Sequence, residues 1–379
     1  MSSLGPRPAT VALILAGGRG SRLSPLTDHQ PKPAVSLAGN YRLIDATLTN
    51  LVHSELRDVW VVEQYRPGDL NEHLAGGRPW DLDGTRGGLC IIPPAQGDAD
   101  DGFSEGNGHA LYQQIDKLEA AGADEVLVLS ADHLYRLDYR DVLEQHRELG
   151  SDLTIVTTQV DTDPSRYGVV ETDGDKRVTS YAYKPEDPES QVVAAEIFVF
   201  AVGALREAVD KLRTSSDGAE LGDYGETIIP WLVENRATHE FRMDGYWRDL
   251  GTIDAYYRAH MDLIEGDELT LQSEDWPMIT NLTIATPARI SPAARVDASL
   301  ICPGAIIAGE VESSLVGPGV TVEKGAVVRR SLLLGDVVVP AGARLESVIA
   351  DRGAVIPAEQ VGETKPGPGN ITVLASENA

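Results

Sequence analysis

Short apolar runs alternate with longer amphipathic stretches through the first two-thirds of the chain. The apolar runs predict five buried strands, at residues 11–15, 58–63, 126–130, 153–158 and 195–200. Apolar positions at helical spacing predict helices at residues 109–121 and 139–149. Repeated strand–helix order favours an α/β domain with a mostly parallel sheet and helices on both faces. Ligands bind such a sheet at the carboxyl ends of its strands.

The pattern changes near residue 285, where the helical spacing ends. Apolar residues then recur in steps of six at Val316, Val322, Val328 and Leu334, and Gly319 and Gly325 keep the same step. This step is typical of a parallel β-helix with three short strands per coil. The register is interrupted near Cys302, which leaves a β-sandwich as the alternative. We predict a first domain at residues 1–266, a linker at 267–285, and a β-helix domain with its tail at 286–379.

The charge of the chain limits the partners that it can have. The chain has 59 Asp and Glu residues against 32 Lys and Arg residues, a net charge of −27. This balance excludes a basic surface for nucleic acid or for an anionic membrane. Its two cysteines provide no disulfide framework, and no window approaches the ~20 apolar residues of a membrane span. With an N-terminal apolar run too short for a secretion signal, these features predict a cytoplasmic protein.

A glycine-rich turn follows the first predicted strand. Residues 13–23 read LILAGGRGSRL, and Lys32 follows between two prolines. Glycines let backbone amides approach phosphate oxygens, and arginine adds a fork of donors that fits phosphate. The spacing matches neither the dinucleotide fingerprint nor the P-loop. We predict a phosphate-binding turn; the alternative is an ordinary turn with solvent-facing arginines.

These segments resemble the signature of the sugar-1-phosphate nucleotidyltransferases. Further similar segments follow in the same order, at residues 41–45, 64–65, 132–139, 167–169, 184–185, 223–225 and 245–252. The last of them, GYWRDLGT, resembles the ADP-glucose pyrophosphorylase branch in particular. The resemblance spans nearly the whole chain. It implies a Rossmann-like nucleotidyltransferase domain followed by a left-handed parallel β-helix of hexapeptide repeats.

The resemblance also implies an activity and a set of site residues. The expected reaction transfers AMP from ATP to glucose-1-phosphate for glycogen or α-glucan synthesis, in a homotetramer. The implied nucleotide-binding residues are Leu15, Ala16, Gly17, Gly18, Arg19, Gly20, Ser21, Lys32, Gln64, Gly106 and Asn107. The implied sugar-phosphate-binding residues are Tyr167, Gly168, Tyr183, Lys184, Ala194 and Glu196. Arg22, Asp132 and Lys184 are expected to be catalytic, with Arg22 on the β- and γ-phosphates.

Two aspartates predict a Mg²⁺ site. Asp132 follows the strand at residues 126–130, and Asp249 precedes Leu-Gly-Thr. Mg²⁺ takes one or two carboxylates together with phosphate oxygens and water, and the resemblance implies that these two residues hold it. As alternatives, Asp132 could cap the next element and Asp249 could pair with Arg248. Lys184 precedes a proline, which favours an extended backbone; the alternative is a lysine exposed to solvent.

Three segments differ from the family pattern. Residues 108–110 read GHA, which is closer to uridylyltransferases, and His29-Gln30 replaces a basic pair that serves activation. Tyr183 stands where a glutamate is usual, and Glu196 lies where the family has Ser-Met-Gly. A lost or gained hydrogen-bonding group can change sugar selectivity strongly. The alternatives are therefore a nucleotidyltransferase for another base or sugar, and a non-catalytic regulatory subunit.

Overall fold

The computed structural model describes residues 9–17, 20–63, 67–85, 87–93, 106–215, 221–266, 270–282, 285–367 and 369–376. All five predicted apolar runs form strands of one nine-stranded sheet. Helices cover both faces of this sheet, and the regular elements among the described residues that follow are short strands. The α/β class is therefore confirmed. Among the described residues, no helix has the length and hydrophobicity needed to cross a membrane.

The first part of the chain contains thirteen strands and eight α-helices among its described residues. The strands are β1 (Thr10–Ala16), β2 (Ser36–Leu37), β3 (Tyr41–Arg42), β4 (Asp58–Glu63), β5 (Gly88–Ile92), β6 (Glu125–Ser130), β7 (His133–Tyr135), β8 (Leu153–Gln159), β9 (Gly168–Thr172), β10 (Val178–Tyr183), β11 (Val192–Ala201), β12 (Thr238–Arg242) and β13 (Trp247–Asp249). The helices are α1 (Ile44–His53), α2 (Pro67–Leu74), α3 (Asn107–Tyr112), α4 (Ile115–Ala120), α5 (Tyr139–Glu148), α6 (Val202–Ser215), α7 (Ile228–Asn235) and α8 (Ile253–Glu265).

The main sheet has the order β10-β9-β11-β6-β1-β4-β5, and β8 and β12 extend it beside β11. Only β10 and β11 run against the other seven strands of this sheet, as the pairing directions show. The central strands β1 and β6 are parallel, with Leu15 opposite Ser130. The turns that follow Ala16 and Ser130 therefore meet at one edge of the sheet, where a ligand site is expected.

β1 is apolar along its length because it is covered on both faces. Val11 and Leu13 pack with α3, α4, α6 and α7, whereas Ala12 and Ile14 pack with α1 and α5. The predicted helix at residues 139–149 is confirmed as α5, which begins where the Asp138 side chain accepts a hydrogen bond from the Arg140 N–H (2.9 Å).

The single helix predicted at residues 109–121 is wrong. The structure has two helices there, α3 and α4, separated by a turn at residues 113–114. The Gln114 N–H donates to the Leu111 carbonyl (3.0 Å) and so closes the shorter ring of a 3₁₀ turn. Apolar spacing persists through the turn, because Leu111, Ile115 and Leu118 are all buried. The sequence pattern therefore did not reveal the break.

The second part of the chain is a stack of parallel strands. They are Arg289–Ile290, Arg295–Asp297, Leu300–Ile301, Ile306–Ile307, Glu310–Glu312, Leu315–Val316, Thr321–Val322, Val327–Arg329, Leu332–Leu333, Val338–Val339, Arg344–Glu346, Val348–Ala350, Gln360–Gly362 and Thr372–Leu374. They form three parallel sheets of four, five and five strands, the arrangement of a β-helix of hexapeptide repeats. The β-helix prediction is confirmed over the β-sandwich.

The six-residue step holds for part of each coil only. Val316, Val322 and Val328 all lie in strands, but Leu334 follows the strand Leu332–Leu333. The reason is the length of the coils, because Thr321 pairs with Ile306 on one side and with Val338 on the other. These coils are thus shorter than the 18 residues that three uninterrupted hexapeptides require.

One sheet of the β-helix packs against α8 and the segment that follows the glycine-rich turn. Leu315, Leu332 and Ile349 share a buried cluster with Tyr256 of α8 and with Leu37. The Tyr257 hydroxyl donates to the carbonyl of Arg330 in the β-helix (2.6 Å). The two parts of the chain therefore share one apolar core at this junction.

Gly39 shows how closely the two parts approach each other. Its φ is +81°, and a Cβ at this position would lie 2.5 Å from Cys302 Sγ. Glycine is required here by both the left-handed backbone and the available space.

His260 is held neutral beside this junction. Its Nε2 accepts a hydrogen bond from the Ala38 N–H (3.0 Å), and its Nδ1 donates to the Tyr256 carbonyl (2.8 Å). Burial lowers the pKa of His260 from 6.5 to about 4. In this range of pH the unfolded chain binds a proton that the folded chain excludes, so folding stability falls with decreasing pH.

We expect the free energy of unfolding to decrease by about 3 kcal/mol through His260 as the pH falls from about 6.5 to about 4. Urea unfolding at several pH values measures this loss. In His260→Gln the pH dependence should be smaller, while His146 and His239, the other histidines with a lowered pKa, contribute equally to both proteins. The same pH dependence in both proteins would contradict the assignment.

Candidate active site

A cleft of about 440 Å³ opens at the carboxyl edge of β1 and β6. It is lined by Leu15, Gly17, Arg22, Gly106, Asn107, Ser130, Asp132, His133, Arg166, Tyr167, Tyr183, Lys184, Glu196, Asp223, Tyr224 and Asp249. Eleven of these residues were named from the sequence as site residues. The structure thus brings together predicted residues from seven separate segments of the chain.

Two short strands place Asp132 and Asp249 side by side. Asp132 lies between β6 and β7, and the antiparallel pairing of β7 with β13 puts Asp249 opposite His133. The Leu250 N–H donates to the Asp132 carbonyl and closes the arrangement (3.3 Å). Ligand atoms of Asp132, His133 and Asp249 all lie within 4.8 Å of one another, which makes this a candidate metal group.

The charges around the two aspartates are balanced by Lys32 and His133. Lys32 Nζ contacts Asp132 Oδ2 and lies 3.8 Å from Asp249 Oδ1. His133 Nε2 lies 3.6 Å from Asp132 Oδ1 and 3.5 Å from Asp249 Oδ1. The arrangement therefore presents two carboxylates between two cationic side chains.

The same contacts set the protonation of the group. Burial favours the neutral form of Asp132, but Lys32 and His133 outweigh it and hold its pKa below the usual range. Burial also opposes ionisation of Asp249, and the hydrogen bond with His133 lowers its pKa. Burial disfavours charge on His133 as well, but the two aspartates raise its pKa to about 9. Near pH 7 both aspartates are thus ionised and His133 is protonated.

Several residues of the predicted phosphate turn lie near the cleft without lining it. Ala16 is buried at the end of β1, Ser21 is exposed, and Gly20 adopts a φ of +61° while its carbonyl accepts a hydrogen bond from the Thr27 hydroxyl (2.9 Å). Lys32 is buried against the two aspartates. The predicted residues Gly18, Arg19 and Gln64 lie outside the described residues.

The loop before α3 forms one wall of the cleft. Gly106 has a φ of +110°, and a Cβ there would lie 2.3 Å from the Gly222 carbonyl. The Gly108 N–H donates to the same carbonyl (3.0 Å). These two glycines allow the loop to pack against the segment that carries Asp223, and they place Asn107 at the cleft.

Lys184 also lines the cleft and is held by an aromatic neighbour. Its Nζ contacts the Tyr183 hydroxyl and lies 4.2 Å from the centroid of that ring. The Tyr183 hydroxyl in turn donates to Asp223 Oδ2 (2.6 Å). The extended backbone predicted for Lys184 is wrong. Its φ is +46°, and its N–H donates to the Tyr167 carbonyl (2.9 Å).

Glu196 reaches the cleft from an irregularity in β11. The pairing register with β8 shifts between Ala194 and Phe198, and Glu196 has a φ of +58°. Its Oε2 accepts a hydrogen bond from the Tyr224 hydroxyl (2.7 Å). Burial raises the pKa of Glu196. The neighbouring Ala194 was named as a sugar-phosphate residue, but its side chain is fully buried in the core and does not line the cleft.

Five residues of the cleft were not named from the sequence as site residues: Ser130, His133, Arg166, Asp223 and Tyr224. For three of these residues the sequence did contain a signal. Asp223 and Tyr224 belong to the similar segment at residues 223–225, and His133 directly follows Asp132. Ser130 and Arg166 carried no such signal. Gly168 was named, and it is buried at the start of β9 beside the Tyr181 ring.

Comparison with known proteins agrees with this arrangement. Residues 11–266 match the family model of the nucleotidyl transferases, and residues 287–366 match that of the GlmU-like C-terminal hexapeptide. The glucose-1-phosphate adenylyltransferase of Thermotoga neapolitana is 40% identical over 323 residues, which cover 84% of this chain and 76% of that protein. The glucose-1-phosphate adenylyltransferase of Desulfitobacterium hafniense is 34% identical over 361 residues, which cover 94% of this chain and 90% of that protein. The chain therefore belongs to the nucleotidyl transferase family, in the group that contains the glucose-1-phosphate adenylyltransferases.

Proposed function

We propose that the protein transfers AMP from ATP to glucose-1-phosphate and releases pyrophosphate, to supply ADP-glucose for glycogen or another α-glucan. The observation that carries this proposal is the cleft itself, which is lined by Asp132, Asp249 and Lys184 together. The full-length similarity to glucose-1-phosphate adenylyltransferases supports the same pair of substrates.

The donor set of the cleft fits a hard divalent cation. Asp132 and Asp249 offer ionised carboxylates, the ligands that Mg²⁺ prefers. Mg²⁺ prefers oxygen ligands to imidazole nitrogen, so the two carboxylates are the expected ligands in this group. The Lys32 ammonium already contacts both aspartates, which shows that the position accepts positive charge. We propose that these two aspartates hold Mg²⁺, which when bound would neutralise phosphate charge and align the two substrates.

The side chains of the cleft have separate tasks in the proposed reaction. Lys184 binds the phosphate of the sugar substrate, and Arg22 binds the β- and γ-phosphates of ATP and stabilises the pyrophosphate that leaves. A phosphate oxygen of glucose-1-phosphate attacks the α-phosphorus of ATP in line, and the bond from that phosphorus to the bridging oxygen of the leaving pyrophosphate breaks. No residue of the protein forms a covalent bond, so positioning and charge account for catalysis.

We also propose two domains and an assembly. The first domain ends at residue 266, and the β-helix domain begins at residue 286. Glucose-1-phosphate and ATP are the partners of the cleft, and the β-helix supports assembly into a homotetramer in the cytoplasm. Light scattering during gel filtration measures the mass of the assembly directly. The mass of a monomer would contradict the proposed homotetramer.

Pyrophosphate release by the purified protein tests the reaction. We expect the highest kcat/KM for ATP with glucose-1-phosphate when the four ribonucleoside triphosphates and several sugar-1-phosphates are compared in the presence of Mg²⁺. Another preferred pair would reassign the substrates within the family. Absence of release with every pair, together with retained nucleotide binding, would identify a regulatory subunit instead.

A further inference from the structure

Glu196 combines three features that an ordinary surface carboxylate lacks. It is partly buried, it lines the cleft, and its φ of +58° lies in the left-handed region. Residues other than glycine adopt this backbone at a cost in free energy, and such residues occur often at functional sites. Among the residues that line the cleft, only Lys184 is a second non-glycine residue with positive φ.

Two side chains near Asp132 and Asp249 hold the irregular part of β11 that carries Glu196. The carbonyl of Ala195 accepts hydrogen bonds from His133 Nδ1 and from Trp247 Nε1, both at 3.3 Å. The Trp247 ring also packs edge-on against His133, with centroids 5.1 Å apart. The backbone just before Glu196 is therefore held by the residue that contacts Asp132 and Asp249.

On its other side, Glu196 is joined to Lys184 by a continuous series of contacts. Tyr224 donates to Glu196, and its chain neighbour Asp223 accepts from Tyr183, which contacts Lys184. Glu196 thus lies between the metal group and the lysine assigned to the sugar phosphate. A sugar whose phosphate binds between the two aspartates and Lys184 would therefore contact Glu196.

One carboxylate oxygen in this wall has no hydrogen-bond donor among the described residues. Both oxygens of Asp223 are used by the protein, Oδ2 by the Tyr183 hydroxyl (2.6 Å) and Oδ1 by the Gly225 N–H (2.8 Å). Glu196 Oε2 is used by Tyr224, but no donor among the described residues contacts Oε1. The Glu196 side chain therefore keeps one oxygen available to a group in the cleft.

We infer that Glu196 is the residue that selects the sugar, by accepting a hydrogen bond from a hydroxyl of the sugar ring on Oε1. Tyr224 is the positioning residue, because its hydroxyl fixes the carboxylate. Because Tyr183 donates its hydroxyl to Asp223 and accepts from Lys184, we assign the acceptor for the ring to β11 and not to the end of β10. This inference rests on the proposed function, because it takes a hexose-1-phosphate as the ligand.

Binding measurements separate this inference from catalysis. Calorimetry with Mg²⁺ gives the Kd of glucose-1-phosphate and of its 2-, 3-, 4- and 6-deoxy analogues for the wild type, Glu196→Gln and Tyr224→Phe. We expect the wild type to bind one deoxy analogue about 10-fold or more weakly than glucose-1-phosphate. In Glu196→Gln that difference should become smaller, because a neutral amide oxygen accepts a weaker hydrogen bond than a carboxylate does. Tyr224→Phe should reduce the difference less.

Two further variants, of which one is a matched control, complete the binding test. Glu234→Gln changes an exposed glutamate of α7 and should keep the wild-type pattern of binding. Glu196→Gly, which suits the left-handed backbone, should remove the discrimination without lowering the melting temperature. The same pattern of Kd values in the wild type, Glu196→Gln and Glu196→Gly would overturn the inference. A pattern that depends on Glu196 without any release of pyrophosphate would support it while contradicting the proposed reaction.

Discussion

Asp132→Asn is expected to lower kcat by about 10³-fold, because one of the two carboxylates proposed to hold Mg²⁺ becomes a neutral amide. The amide keeps the shape of the side chain, and Asp249 remains close to Lys32 and His133. The fold should therefore persist. Pyrophosphate release at saturating substrates measures kcat, and a Mg²⁺ titration should show that the variant needs more metal for its residual activity.

Asp244→Asn is the matched control for this change. Asp244 is exposed and lies in the loop between β12 and β13, close in sequence to Asp249, but it does not line the cleft. Its variant should have wild-type activity and the same Mg²⁺ requirement. Wild-type turnover by Asp132→Asn, with the same Mg²⁺ dependence, would show that Asp132 does not hold the metal. Circular dichroism and thermal unfolding establish whether the variant is folded.

Lys184→Gln is expected to raise the KM for glucose-1-phosphate by about 10²-fold, because a charged hydrogen-bond donor to the phosphate is lost. Tyr183 and Asp223 hold the Lys184 ammonium in place before substrate binds, so little ordering of the side chain is needed at that step. The KM for ATP should change much less. Steady-state kinetics with each substrate varied in turn measures both values.

Lys324→Gln, in the β-helix, is the control for the loss of one positive charge, since Lys324 is exposed. It should leave both KM values unchanged. An equal rise in the two KM values of Lys184→Gln would place Lys184 at the nucleotide, and unchanged values would mean that it binds neither substrate.

The sequence was sufficient for the elements whose pattern is local. The buried strands β1, β4, β6, β8 and β11 are apolar runs bounded by polar or glycine-rich segments, and they formed as predicted. The β-helix was visible because its coils repeat a short apolar step. Element boundaries were less certain, as the turn between α3 and α4 shows. There the apolar spacing continued although the helix did not.

The candidate site was predictable where a residue type and its place at a strand end coincided. Asp132 follows β6, the glycine-rich turn follows β1, and parallel strands carry their carboxyl ends to one edge. Partners from distant parts of the chain could not be read in this way. The contacts of Lys32 with both aspartates depend on the pairing of β7 with β13.

By itself, the sequence determined the α/β class, the β-helix that follows, and most of the residues that line the cleft. The class and the β-helix depend on local periodicity, which is visible in one dimension, whereas most of the cleft residues were named from the resemblance to the nucleotidyltransferases. Only the tertiary structure decided that Lys184 and Glu196 adopt left-handed backbones, that Asp223 is used by Tyr183, and that one oxygen of Glu196 stays available. The physical reason is that hydrogen bonds between segments far apart in the chain depend on how the sheet edge and its loops pack. No local pattern of residues records that packing.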